Sequence, residues 1–357
     1  MTPPRQNGSP LRAPPLCAAC VAVALCLLLP IPRADAVEAS GAAHVELGAA
    51  VDSNAGRELQ PLARGDGLAL GLLGLEGTVA GDGALSASGR YALGVKRFLV
   101  LHGDDLAAQE LSAEARAQLP AATLSLLGRL KDRRTRGGER DYTSAGASLG
   151  AGRRIGRFAL QLDAGAERFV YRSDAAYSYA GPRAALEGSW LLAAHHRLVV
   201  DLELARHVFD AESAFASADR REDVVTSAGL SYRFKGPILA SAGYGFLQSS
   251  SNQPGRSLQR HRLEGSVGLF LPLDIALAAT AAVQRTRFPE GLTLSPELLL
   301  TTDDENTNSA TISLSRRFNH GLQVELRGAG YLADFSGNDL HYRRVVGQLT
   351  VGWDGPP

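Results

Sequence analysis

Histidines, serines and acids are the residues from which a catalytic centre would be drawn, and the chain has eight histidines. Hydrolysis needs a nucleophilic Ser or an Asp beside a base, with a third group to orient that base. His195-His196 and His320 fall in short polar connections, His102, His207 and His341 are scattered, and neither His44 nor His261 has such a neighbour in the sequence. No enzyme is expected. Asp303-Asp304-Glu305 offers carboxylates to a divalent cation, but it lacks the ordered spacing and glycine of a calcium loop, which favours a solvated acidic tip. Arg133, Arg134, Arg136 and Arg140 form a basic cluster suited either to lipid phosphates or simply to water. The three cysteines, Cys17, Cys20 and Cys26, all lie near the N-terminus, so thiolate metal sites and disulfides are excluded from the rest. No cofactor is expected.

Charges that recur on one face of extended segments carry a different chemistry. Glu46, Glu114, Asp163, Glu167, Glu187, Asp201, Glu203, Glu264 and Glu325 alternate with apolar residues, and so do Arg90, Arg129, Arg183, Arg233, Arg262, Arg317, Arg327 and Arg344. Facing a common interior, they would make a polar pore with opposing charge ladders, or a wall of cross-strand salt bridges. Mixed sign argues against strong ion selectivity. Lys and Arg together number 37, as do Asp and Glu, so no net field favours nucleic acid as a partner.

The elements that position these charges read as strands. In His44–Asp52, Val45, Leu47, Ala49 and Val51 share a face opposite His44, Glu46, Gly48 and Asp52. The same period of two returns at Phe158–Ala164, Leu198–Leu204, Ile238–Phe246, Leu263–Leu271, Ile275–Val283 and Leu322–Leu332. It is weakest at 67–80 and 104–119, and the second of these, alanine-rich with Glu110, Glu114 and Arg116, is also compatible with a short helix. Interior glycines such as Gly48, Gly94, Gly146, Gly165, Gly229, Gly243 and Gly268 are expected to leave space.

Connections alternate in length. Long ones at 53–67, 97–105, 131–141, 172–178, 210–223, 249–259 and 286–307 alternate with short ones at 81–83, around Pro120, and at 153–156, 193–197, 235–237, 272–274 and 319–321; a medium one, 334–339, precedes the last strand. The expected fold is therefore all-β: a closed antiparallel up-and-down transmembrane β-barrel of about sixteen strands, an even number with long outer loops and short periplasmic turns. A propeller would show a repeat of about 40–50 residues, and none is visible. Thr286–Thr307, with Pro289, Gly291, Pro296 and Leu298-Leu299-Leu300, is either an inward plug or an upward extension of a strand.

Residues 1–36 have the layout of a secretory signal peptide: Arg5 and Arg12, an apolar run from Cys17 to Pro30, then Ala34-Asp35-Ala36. Cleavage near Ala36 would leave 37–357 as the barrel, bound for the bacterial outer membrane. The apolar run is shorter than the roughly 18 residues or more of a spanning helix.

Two resemblances follow. Val345, Leu349, Val351 and Trp353 share a face of the last strand, which resembles the aromatic-ended C-terminal strand that the barrel insertion machinery recognises; here Asp354–Pro357 follow the aromatic. Val51-Asp52-Ser53-Asn54 resembles the Asp-Ser-Asn strand end of β-barrel porin families, where an aromatic often precedes the Asp; a plain turn would use the same residues. The resemblance implies a channel or part of an envelope export system. Porin-like passive passage of solutes is the leading expectation. The alternatives are the outer-membrane component of a polysaccharide or polymer exporter with a periplasmic partner, and a closed structural or adhesive barrel. Outer-membrane lipid and lipopolysaccharide are expected to surround the barrel in each case.

Overall fold

The computed structural model describes residues 38–58, 61–81, 84–212, 220–287, 289, 308–335 and 340–355. The signal-peptide residues, Asp82-Gly83, most of the 286–307 connection and its acidic triplet lie outside them.

Sixteen strands run in order: β1 (Glu38–Asp52), β2 (Asp66–Ala80), β3 (Leu85–Phe98), β4 (Leu106–Gln118), β5 (Thr123–Thr135), β6 (Tyr142–Ile155), β7 (Phe158–Tyr171) and β8 (Tyr179–Ala193). They continue as β9 (His196–Glu212), β10 (Arg220–Lys235), β11 (Ile238–Ser251), β12 (Leu258–Leu271), β13 (Ile275–Arg287), β14 (Asn308–Arg317), β15 (Leu322–Phe335) and β16 (Leu340–Asp354). Each pairs antiparallel with its sequence neighbours, and β16 pairs with β1 to close the barrel. Closure leaves no strand edge with unpaired backbone groups, the condition a sheet must meet in hydrocarbon.

The two weak segments are strands, β2 and β4. On β4 the helical propensity of alanine gives way to tertiary pairing with β3 and β5 along its length. On β2 the alternation is blurred because Leu68, Leu70 and Leu72 lie on the inner face, opposite Ala50, Gly48 and Glu46 of β1. Several connections are shorter than expected: β5 runs on to Thr135, β9 to Glu212 and β12 begins at Leu258.

Residues directly opposed across an antiparallel pair share a face, so the register assigns every strand residue to the inside or the outside. The outward row carries the large exposed apolar side chains, among them Leu47, Leu149, Leu162, Leu204, Leu263, Val283, Ile312 and Leu326. Among the described residues its middle zone is uncharged. At the long-loop end it bears Arg97, Arg134, Arg168, Arg206, Arg285, Arg287 and Arg343 against Asp132, Asp210 and Glu222. Toward the short-turn end it bears Phe158, Trp190, Tyr232, Phe234 and Trp353. Outward arginine costs about 2–4 kcal/mol at a bilayer midplane but only about 0–1 near the interface, which fits this placement.

Candidate functional site: the barrel interior

Apart from the apolar Leu68, Leu70 and Leu72 of β2, the inner face is largely polar, and two of its stretches differ in kind. From β4 to β9 it is heavily charged: Glu110, Glu114 and Arg116 on β4, Arg129 and Lys131 on β5, Asp163 and Glu167 on β7, Arg183 and Glu187 on β8, Asp201 and Glu203 on β9. These residues line a cavity of about 900 Å3. From β11 to β14 hydroxyls dominate, with Ser241, Ser266, Thr280, Thr311, Ser313 and Ser315 inward and the Ser241 and Ser266 hydroxyls 2.7 Å apart. Arg260, Arg262 and Glu264 on β12 and Arg317 on β14 add charge to this otherwise hydroxyl-bearing stretch.

All seventeen charged residues singled out from the sequence lie, by register, on the face opposite the exposed apolar row. Glu46, Arg90, Glu114, Arg129, Asp163, Glu167, Arg183, Glu187, Asp201 and Glu203 lie on β1 to β9, and Arg233, Arg262, Glu264, Arg317, Glu325, Arg327 and Arg344 on β10 to β16. Many are paired within the wall: Arg90 to Glu76 at 3.2 Å, Arg183 to Glu203 at 3.5 Å, Arg116 to Glu114 at 2.7 Å, Arg262 to Glu264 at 3.3 Å. Glu167 accepts from His207 at 2.7 Å, and the His207 ring stacks on Tyr179 with centroids 4.0 Å apart. Part of the wall is thus salt-bridged across and along its strands.

Of the interior glycines, Gly94, Gly146, Gly243 and Gly268 leave space for a Cβ, whereas others do not. A Cβ at Gly229 would strike the Asp201 carboxylate, one at Gly150 would strike Asp163, Gln161 and the Ser125 hydroxyl, and those at Gly48 and Gly165 would meet neighbouring backbone. Asp201 thus lies flat along the wall over Gly229. These glycines make room for long neighbours to fold against the wall.

The basic cluster read as one outer loop is dispersed. Arg133 points inward from β5, while Arg134 points outward and makes a two-pronged bond to Asp132 at 2.9 and 2.8 Å. Arg136 lies 3.7 Å from Asp105, and Arg140 donates to the Gly56 carbonyl at 2.7 Å. The sequence shows the shared charge; pairing parity and loop folding separate the side chains.

Sequence reasoning missed the inturned loop at the long-loop mouth. The β1–β2 connection turns inward, and Ala55 packs inside the barrel against Ala50, Leu68 and Phe98, with Leu101 at the margin. Neighbouring loops knit over it: Gly137 donates to Gly103 at 2.8 Å, Arg172 to Asp141 at 2.9 Å, and Arg140 to Gly56. The available signal was Leu68 and Phe98 at inward positions, apolar where a lumen-facing row should be polar. Burial holds the Asp104 carboxyl in this collar above the usual carboxylate range, against the opposing pull of Arg140.

Asp52, Ser53 and Asn54 clasp the seam. Arg344 reaches Asp52 through Nε at 2.9 Å and a terminal nitrogen at 2.6 Å, both side chains buried. Ser53 and Val345 exchange bonds, N–H to carbonyl at 2.9 Å and N–H to hydroxyl at 2.8 Å, and the Asn54 amide donates to the Arg343 carbonyl at 3.2 Å. The turn reading is right in part, since Asp52 also accepts from the Asn54 N–H at 2.9 Å. At the other end Asp354 meets His44 Nδ1 at 2.7 Å and Arg317 at 2.9 Å, and Gly355 donates to Ala43. Asp354 and Gly355 thus extend the β1–β16 pairing. Val345, Leu349, Val351 and Trp353 share the outward face of β16. Trp353 Nε1 donates to the His320 carbonyl at 3.1 Å. Among the described residues no cluster of three His, Cys, Asp or Glu could hold a metal ion.

No protein-family model and no curated protein matches the chain. Solved structures do match it in fold. Salmonella typhi OmpF, in complex with daunomycin, aligns at 9% identity with a TM-score of 0.52, covering 89% of this chain and 97% of that one. A loop-deletion form of OmpT, an outer membrane protein of Vibrio cholerae, aligns at 8% identity and 0.49, covering 90% and 100%. Pseudomonas aeruginosa OpdQ aligns at 11% and 0.48, covering 89% and 98%. At these identities the likeness is one of architecture: the chain has the fold of a sixteen-stranded outer-membrane β-barrel.

Proposed function

We propose that the chain is a porin-like channel of the bacterial outer membrane that passes small polar solutes without catalysis. The carrying observation is the inner wall itself, where hydroxyls and charges of both signs line a sixteen-stranded barrel whose outward middle zone is uncharged. A barrel of this strand number encloses an aqueous path where its loops leave it open. The inturned β1–β2 loop sets the width at the outer mouth. Mixed charge implies weak ion selectivity. The fold likeness to OmpF supports the reading at the level of architecture. Insertion would use the outward row Val345, Leu349, Val351 and Trp353, presented to the barrel insertion machinery, and the Asp52-Ser53-Asn54 clasp would play the part that the resemblance to porin families implies.

Swelling of proteoliposomes in small neutral sugars tests permeation directly. Swelling that slows steadily with solute size is expected; proteoliposomes carrying folded barrel that swell no faster than empty ones would sink the proposal.

A further inference from the structure

The short-turn end of the barrel carries charges that the wall does not neutralise. One transverse row can be followed there through the register: the Leu191 N–H donates to the Arg157 carbonyl at 2.8 Å, Leu191 opposes Arg197, and Arg197 opposes Arg233. Arg197 and Arg233 are inner-face residues of neighbouring strands, so two like charges stand directly across from each other, an arrangement that weakens a sheet. Lys235 follows Arg233 on the same face of β10, and Arg154 lines the lumen from the end of β6. All five cationic residues are exposed. Arg154 and Arg157 donate to the backbone carbonyls of Gly156 and Leu192, at 3.3 and 3.4 Å. Among the described residues none of the five pairs with a carboxylate, unlike Arg90, Arg183 and Arg262 of the same inner wall. The segments 152–158, 192–197 and 233–238 contain no Asp or Glu. The nearest acids on β8 and β9, Glu187 and Asp201, stand four residues further in, about 13 Å along the strand.

A sheet that keeps like charges opposed gives up stability, and such local conflict with the fold is a mark of function. We infer that this sector of the short-turn mouth, from the β6–β7 turn to the end of β10, is a docking surface for an acidic segment of a periplasmic protein. Short turns face the periplasm in an outer-membrane barrel. From Arg157 to Arg233 the row crosses three strand spacings, about 14 Å, which four or five extended residues span. Cations spread over that distance call for several carboxylates at once, so a single small anion meets only part of the surface. Leu191 lies between Arg157 and Arg197, and Leu239 opposes Lys235. Apolar side chains set among the cations suit a peptide with leucines among its acids better than an all-polar glycan. An anionic polymer passing outward through the lumen would next meet Glu187 and Asp201, which repel it. Lipid headgroups outside the barrel lie on the wrong side of the wall for Arg197, Arg233 and Lys235, which belong to its inner face. The surface depends on the barrel's orientation and not on whether the lumen conducts.

The test is calorimetric titration of the full chain in nanodiscs of zwitterionic lipid, with empty nanodiscs as background. The probes are a peptide carrying leucines among its glutamates, an oligogalacturonate of the same charge, and inorganic phosphate. The wild type is expected to hold the peptide about tenfold more tightly than the oligogalacturonate, with affinity that falls as salt is added. Arg197→Gln with Arg233→Gln should weaken the peptide about tenfold. Arg285→Gln with Arg287→Gln, which removes the same charge from the long-loop end, should leave it unchanged. Because the opposed arginines strain the sheet, Arg197→Gln alone should keep or raise the urea midpoint, an outcome that a structural role for the pair does not give. Retained heat-modifiable gel mobility shows that each variant has folded. Equal binding of peptide and oligogalacturonate, displacement by inorganic phosphate, unchanged binding in the Arg197 and Arg233 variant, an equal loss at the long-loop end, or a lowered urea midpoint in Arg197→Gln would each overturn the inference. The readout is bound peptide, so its failure is distinct from failure of the channel proposal.

Discussion

Arg344 on β16 holds Asp52 on β1 with Nε and a terminal guanidinium nitrogen at 2.9 and 2.6 Å, and the carboxylate is wholly shielded from solvent. Sequence separation between the partners is 292 residues, so the pair forms only when the barrel closes. Removing one partner strands a buried charge, which costs about 3–5 kcal/mol. Arg344→Ala is therefore expected to lower the urea midpoint of the refolded barrel markedly, with little relief from added salt because the pair is sheltered from screening.

The opposite end of the same seam should behave differently. Asp354 bridges His44 and Arg317, but its side chain is 37% exposed. Solvent screening leaves such a contact worth at most about 1 kcal/mol. Asp354→Ala is expected to shift the same urea midpoint by a fraction of the Arg344→Ala effect.

Asp201 lies over Gly229, and a methyl group there would leave its carboxylate no room against the wall. Gly229→Ala should turn that charge into the lumen and shift the reversal potential in a salt gradient toward cations. Asp201→Asn should shift it the other way. Equal shifts from both variants would contradict the flat placement of Asp201.

At the outer mouth, Arg140→Ala is expected to release the β1–β2 loop from its bond at the Gly56 carbonyl. Amide exchange of residues 53–58 should quicken, and the conducting path should widen. Arg140 contributes charge to the collar as well, so Arg140→Lys, which keeps the charge and loses the fork, should fall between wild type and Arg140→Ala.

The collar should also respond to pH. Burial raises the Asp104 carboxyl, so its protonated form is favoured when the loops are packed. Its contribution to packing is fully present below the ordinary carboxylate range and is lost as pH rises through the raised value. Amide exchange in residues 102–104 should therefore speed up across that acidic window, and Asp104→Asn should flatten the dependence.

Much of this architecture was legible in the sequence because a barrel wall writes itself as period two. Strand number, the length asymmetry of the connections, and the parity that puts Glu187 and Asp201 on one face all follow from local pattern. Where both faces are apolar, as around Leu68 to Leu72, parity is silent, and the loop packed on Leu68 and Phe98 went unread. Arg133 and Arg134 illustrate the complementary limit: adjacent like charges look like one cluster until the pleat sends them to opposite faces. The Asp52-Ser53-Asn54 segment was visible as a motif, but its partners Arg343, Arg344 and Val345 are nearly 300 residues away, beyond any local signal. The glycines were misjudged in part for a related reason: at Gly48, Gly165 and Gly229 the room is taken by neighbours on the next strand, while Gly94, Gly146, Gly243 and Gly268 do leave space.

Single-channel recording of the purified, refolded chain in planar bilayers tests the central claim most directly. Stable, stepwise openings with weak ion selectivity, enlarged in Arg140→Ala, are the predicted result. Electrically silent bilayers containing verified folded barrel, with Arg140→Ala equally silent, would contradict it.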